Sequence, residues 1–109
     1  MGSESRPPAT YVTDLRPNRV ATLEAQVTEV GPVREVMLEK GISRKVQEAR
    51  LRDKTGEVTL VLWGSEVDRV HSGERVRILE GWVRDYKGRL QISLGRTGKV
   101  EVLSTGSSP

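Results

Sequence analysis

The stretch RVATLEAQVTEVG, residues 19 to 31, constrains the fold more than any other feature of the chain. Ala21, Leu23, Ala25 and Val27 alternate with Thr22, Glu24, Gln26 and Thr28. A period of two puts one face of an extended strand on a core and the other in water. The pattern stops at Gly31-Pro32, where a ladder would lose a donor. The period returns along the chain. In GEVTLVLW, Val58, Leu60 and Leu62 point inward, which sends Thr59, Val61 and Trp63 outward. In ERVRILEGWVRDY, Val76 and Ile78 point inward until Gly81 interrupts the alternation. A bulge there shifts the register by one, so that Val83 faces in while Trp82, Arg84 and Tyr86 face out. Leu90, Ile92 and Leu94 form the inner side of a fifth strand.

The connections complete the architecture. VREVMLEKGISRKVQEARLRD supplies two extended arms about Lys40-Gly41, a hairpin-like excursion. On its returning arm Ala49 and Leu51 point inward and Glu48 and Arg50 outward. Asp53-Lys54-Thr55-Gly56 is a turn in which Gly56 is expected to supply a positive φ. SEVDRVHSGE predicts one short helical turn through Val67 and Val70, closed by Gly73, and Lys87-Gly88 is a hairpin turn. KVEVL adds a short final extension. Residues 1–10 and 104–109 are small and polar and read as flexible ends, the leading Met-Gly-Ser as a cloning remnant; residues 11–103 then form one domain. Five strands with a short helical turn between strands 3 and 4 describe an all-β, five-stranded OB-fold Greek-key barrel, with a small β-sandwich as the alternative.

Composition narrows the function. The 109 residues contain no cysteine, which excludes disulfides and thiolate metal sites. The formal charge of +3 leans toward polyanions. No apolar run approaches the roughly 20 residues of a membrane span, and the polar N-terminus MGSESRPPAT is unlike a secretory signal. His71, the one histidine, sits in a turn where solvation is the ordinary outcome. Neither a G-x-x-x-x-G-K-[ST] loop nor a G-x-S-x-G elbow occurs, and Asp14, Asp53, Asp68 and Asp85 are scattered over turns. An enzyme, a metal site and a cofactor are therefore not expected.

The aromatic residues carry the functional signal. The chain has no phenylalanine and four aromatics, Tyr11, Trp63, Trp82 and Tyr86. Parity sends the last three outside, although burying them would gain the most hydrophobic free energy. Arg84, Lys87 and Arg89 accompany them, with Arg34, Arg44 and Arg50 nearby. Aromatic faces among cations suit single-stranded nucleic acid, because bases stack and cations track phosphates. Trp63, at a strand end, could instead pack under the 64–73 connection.

The ordered set VTDLRPN, LRDKTGEVTLVLWG and SGERVRILEGWVRDYKGRLQISLGRTGKV resembles the single-OB single-stranded-DNA-binding proteins of archaea. It is also similar to the eukaryotic single-stranded-DNA sensors and the DNA-binding domains of replication protein A. The resemblance covers residues 11–103. It implies base stacking by Trp63, Trp82 and Tyr86, a basic turn residue at Lys87 and a contact-loop cation at Arg34. It further implies sequence-tolerant binding of single-stranded DNA in replication and repair, with replication or repair proteins as partners. The compartment would be the cytoplasm or nucleoid of an archaeal cell, or a eukaryotic nucleus. Some relatives carry a fourth aromatic where this chain has Ser93, which implies a shorter platform here. Relatives also often continue into a Gly-rich or acidic tail that recruits partners, and this sequence ends at Pro109 without one. Two other readings stay open: an RNA-binding OB module of the anticodon-binding or RNA-chaperone type, and a protein-interaction OB subunit.

Overall fold

The alternation of residues 19–31 becomes strand β1 (Arg19–Val30), with Leu23, Ala25 and Val27 fully buried on its inner side. The structure is a computed structural model that describes residues 9–104. The hairpin-like excursion consists of β2 (Arg34–Met37), a 3-10 turn at Glu39–Gly41 and β3 (Ser43–Asp53). Then follow β4 (Gly56–Trp63), β5 (Arg75–Tyr86), β6 (Arg89–Ser93) and β7 (Lys99–Ser104). Strand β1 pairs with both β3 and β5, β3 with β4, β4 with β6, and β6 with β5. That ring closes a five-stranded barrel of OB type. All of its pairings are antiparallel except β4–β6. Strand β2 extends the sheet beyond β3, and β7 extends it beyond β5.

Closure explains the core composition. A five-stranded barrel has room for aliphatic side chains, and the interior is filled by Leu51, Leu60, Leu62, Val76, Ile78, Val83 and Ile92 among others, without an aromatic. Ala49 and Leu51 face in, as their parity predicts, and Glu48 and Arg50 face out.

The expected bulge in β5 lies just before Gly81. Ala21 opposes Gly81 and Leu23 opposes Ile78, so Thr22 of β1 faces both Leu79 and Glu80 of β5. The extra residue falls at Leu79-Glu80, where Glu80 adopts φ 53°. Ile78, Gly81 and Val83 therefore all point inward. A Cβ on Gly81 would sit 2.9 Å from Ile78 Cγ2 and from Ile92 Cδ1, so the barrel interior itself requires glycine there.

Two local expectations are corrected. Gly56 is not among the positive-φ residues. The Asp53 side chain closes that turn instead: its carboxylate accepts from the Thr55 N–H at 2.7 Å, the Thr55 hydroxyl at 2.6 Å and the Gly56 N–H at 3.1 Å. The helical turn between the third and fourth barrel strands is a 3-10 turn at Gly64–Glu66, earlier than Val67 and Val70. The Trp63 N–H donates to the Glu66 carboxylate at 2.8 Å and so starts the turn directly at the strand end. Val67 follows it, and Val70 drops into the core.

Most of the two ends expected to be flexible, 1–10 and 104–109, lies outside the described residues. Thr10 donates its N–H to the Thr22 carbonyl at 2.7 Å, and Ser104 is the last residue of β7. Among the described residues no helix is long and apolar enough to cross a membrane.

Candidate nucleic-acid interface

The strand register assembles one outer face from residues far apart in sequence. Arg34 on β2 opposes Val46 on β3, which opposes Trp63 on β4. The next row runs Glu48, Val61, Ser93 and Trp82 across β3, β4, β6 and β5. A third row runs Arg50, Thr59, Gln91 and Arg84, and Tyr86 opposes Arg89 at the end of the β5–β6 hairpin. Neighbouring strands lie about 4.8 Å apart, so each row spans a short, continuous strip of surface.

The strip is concave at its centre. A cleft of about 300 Å³ is lined by Arg34, Glu48, Trp63, Arg84, Tyr86 and Gln91, with Val36, Val46, Val61 and Ser93 completing its floor and walls. Val61 faces outward, as its parity predicts, yet it is buried because it forms that floor. Trp63 is half-buried, and the Arg44 guanidinium lies 5.3 Å from its ring centroid. Trp82 and Tyr86 are 40% and 45% exposed. The Tyr86 ring is flanked by Arg84 at 5.9 Å and Lys87 at 5.3 Å, each a cation over an aromatic face. Lys87 and Gly88 hold φ 54° and 83°, the paired positive values of a two-residue type I′ hairpin loop. That loop fixes where Tyr86 and Lys87 stand.

The cleft therefore gathers four of the seven residues expected from sequence: Arg34, Trp63, Arg84 and Tyr86. Lys87 stands over the ring of Tyr86. Trp82 lies on the same side of β5 but flanks a neighbouring apolar hollow with Val20, Leu94 and Gly95. Arg89 opposes Tyr86 yet lines a different hollow, below the cleft.

Arg44, one of the cations read near the aromatics from the sequence, lies over Trp63 on the arm that pairs with β2. Two features escaped the sequence reading. Glu48 brings a carboxylate into the cleft, 3.7 Å from Arg34, a contact that depends on the β2–β3 register. Gln47 is buried behind the face and ties it to its flanking loops. Its amide donates to the Gly31 carbonyl at 3.0 Å and to Asp68 Oδ1 at 3.3 Å, and its oxygen accepts from the Asp68 N–H at 2.7 Å.

A five-stranded OB barrel with aromatic and cationic side chains gathered on one outer face defines an oligonucleotide-binding class of fold. Residues 15–102 match the family described as single-stranded DNA binding protein Ssb-like, OB fold, and the chain belongs to that family. The single-stranded DNA binding protein Ssb of Saccharolobus solfataricus is 30% identical over 99 residues, an alignment covering 90% of this chain and 66% of that protein. Among solved structures, the replication factor A related protein of Methanobacterium thermoautotrophicum superposes with TM-score 0.75 at 22% identity, covering 94% of this chain and 96% of that one. The second OB-fold domain of replication protein A from Methanococcus maripaludis gives TM-score 0.73 at 24% identity, covering 92% and 97%. At such identities these structural likenesses speak for the fold.

Proposed function

We propose that this outer face binds single-stranded DNA in a sequence-tolerant way, without catalysis, and that the protein protects exposed strands during replication and repair. The observation that carries the reading is the placement of the aromatics. The core contains none, while Trp63, Trp82 and Tyr86 stand on one face with cations over the rings of Trp63 and Tyr86. The kinship with an Ssb protein supports it. Trp63, Trp82 and Tyr86 would stack on bases at about 1–3 kcal/mol each, and Arg34, Arg84, Lys87 and Arg89 would neutralise phosphates. A face of this size suits about 4–6 nucleotides, at the low end for one OB module.

Both tryptophans lie on the proposed face, so intrinsic fluorescence reports directly. Titration with oligo-dT should quench it strongly, and a duplex should bind more weakly. Trp82→Ala should weaken oligo-dT binding by about tenfold or more, within the stacking range. Unchanged affinity in that variant would sink the stacking mechanism. Oligo-U in parallel ranks RNA against DNA, since only a contact to the 2′-hydroxyl separates the sugars. Absence of quenching by any strand at low salt would move the reading to a protein partner, for which exposed Trp and Arg are also suited.

A further inference from the structure

The row Arg50–Thr59–Gln91–Arg84 crosses the whole outer face, and its two halves border different hollows. Gln91 and Arg84 line the aromatic cleft. Arg50 and Thr59 line a second hollow of about 350 Å³, floored by apolar residues including Val58 and Leu90 and flanked by Arg89. The two hollows are thus consecutive along one strip rather than separate sites. Val12 forms the far wall of the second. Next to it stands Tyr11, 45% exposed, with Lys54 Nζ 5.0 Å from its ring centroid.

Tyr11 is held in place rather than left on a loose end. The Val12 N–H donates to Asp53 Oδ2 at 2.9 Å, and the Thr13 N–H donates to the Thr55 hydroxyl at 3.2 Å. The Asp14 N–H closes a 3-10 turn on the Tyr11 carbonyl at 2.9 Å. The β3–β4 turn thereby clamps the segment that carries the ring. Tyr11, next in sequence to Val12 of the hollow's wall, and Lys54, on the turn that clamps it, repeat the aromatic–cation pairing seen at Tyr86 and Lys87.

We infer that the bound strand continues past Arg50 and Arg89 to Tyr11, which acts as a fourth stacking residue with Lys54 beside it on a phosphate. This rests on the single-strand reading and lengthens the site by about two or three nucleotides, still within the range for one OB module. The occupant is the same strand because the second hollow shares its central row with the first and carries arginines on its flanks. Glu57 opposes entry to some degree, since its carboxylate lies 3.7 Å from Arg50. Both side chains are about half exposed, so that pair yields to a phosphate at little cost.

The test compares dT5 with dT10 by tryptophan fluorescence, using the full chain and the variants Tyr11→Ala, Tyr11→Phe and Lys54→Ala. The wild type should bind dT10 more tightly than dT5 by more than the statistical gain in positions. Tyr11→Ala should leave dT5 binding unchanged and weaken dT10 by about fivefold to a hundredfold, the range of one lost stack. Tyr11→Phe, which keeps the ring, should bind dT10 like the wild type. Lys54→Ala should lower the salt slope on dT10 alone by about 0.7. Equal behaviour of Tyr11→Ala and wild type on dT10 would overturn the inference while leaving the cleft intact. So would an equal loss on both lengths, which marks an effect on the fold. Failure of the wild type to bind either length at low salt would overturn the single-strand reading itself.

Discussion

Glu48 illustrates how a single side chain can work against the surface around it. It is the acid among the residues lining the cleft, and it faces Arg34 across 3.7 Å with both side chains more than half exposed. An exposed pair of this kind contributes about 0–1 kcal/mol to stability, so the fold gains little from an acid at this position. On the proposed face it would hold Arg34 and repel an approaching phosphate. Glu48→Gln should therefore bind oligo-dT about two- to fivefold more tightly at low salt, with the gain fading as salt screens the charge. A melting temperature close to that of the wild type would show that the fold is untouched. Asp53 works in the opposite sense, within the fold. Burial pushes its carboxyl up, but the Thr55 hydroxyl and the N–H groups of Val12, Thr55 and Gly56 outweigh that and hold it below the ordinary 3.8. A carboxylate with a depressed folded value contributes its full stability above the ordinary value. It loses that contribution as pH falls through 3.8 toward the folded value. Asp53→Asn should cost about 1–3 kcal/mol at neutral pH, the scale of hydrogen bonds to a charged group. It should also flatten the acid limb of a stability–pH profile below about pH 4, where the unfolded chain takes up a proton that the folded wild-type carboxylate resists. An acid limb as steep as that of the wild type would assign the acid sensitivity to other carboxylates.

At the scale of elements, β5 carries the largest burden. It pairs with β1, β6 and β7, and its bulge at Leu79-Glu80 turns Trp82, Arg84 and Tyr86 outward while Ile78, Gly81 and Val83 stay inside. Gly81→Ala would drive a methyl to 2.9 Å from Ile78 and Ile92. Overpacking of that kind costs about 1–3 kcal/mol, so the urea midpoint should fall with the slope unchanged. A neutral result would mean that Ile92 can step aside without loss. This strand also shows why so much was legible beforehand. Parity depends on local alternation, and the break at Gly81 is visible in the sequence, so the inward and outward sets of β5 followed from it. The same holds for Val58, Leu60 and Leu62 in β4. Pairings between strands distant in sequence leave no local trace. The parallel contact of β4 with β6, which sets Val61 beside Ser93, follows from barrel closure alone. For that reason the outward set of aromatics was readable, while the grouping of Trp63 with Arg34 and Glu48, and the placement of Arg89 in a second hollow, were not. The turn at residues 53–56 was misread in mechanism because a side-chain carboxylate closes it where a glycine torsion was expected. The helical connection was placed late because Glu66 caps the strand end directly.

For the molecule as a whole, charge sets a limit that the aromatics do not. Eighteen basic residues against fifteen acidic leave a formal charge of only +3, too small for strong nonspecific attraction to every polyanion. What matters is where the cations stand. Arg34 and Arg84 line the cleft, Lys87 and Arg44 lie over the rings of Tyr86 and Trp63, and the opposing acid there is Glu48. Binding should accordingly combine a stacking part that ignores salt with an electrostatic part that does not. For three or four phosphates neutralised, the logarithm of affinity should fall against the logarithm of salt with a slope of about −2 to −3. Replacing both Arg84 and Lys87 by alanine should bring that slope about 1.4 closer to zero, since single strands contribute about 0.7 per contact. The same double variant should keep part of its fluorescence quenching at high salt, because Trp63 and Trp82 remain to stack. A slope near zero in the wild type would leave stacking without phosphate contacts. Such a surface would then fit a protein partner better than a nucleic-acid strand, since the cations that track phosphates are half of how single strands are held.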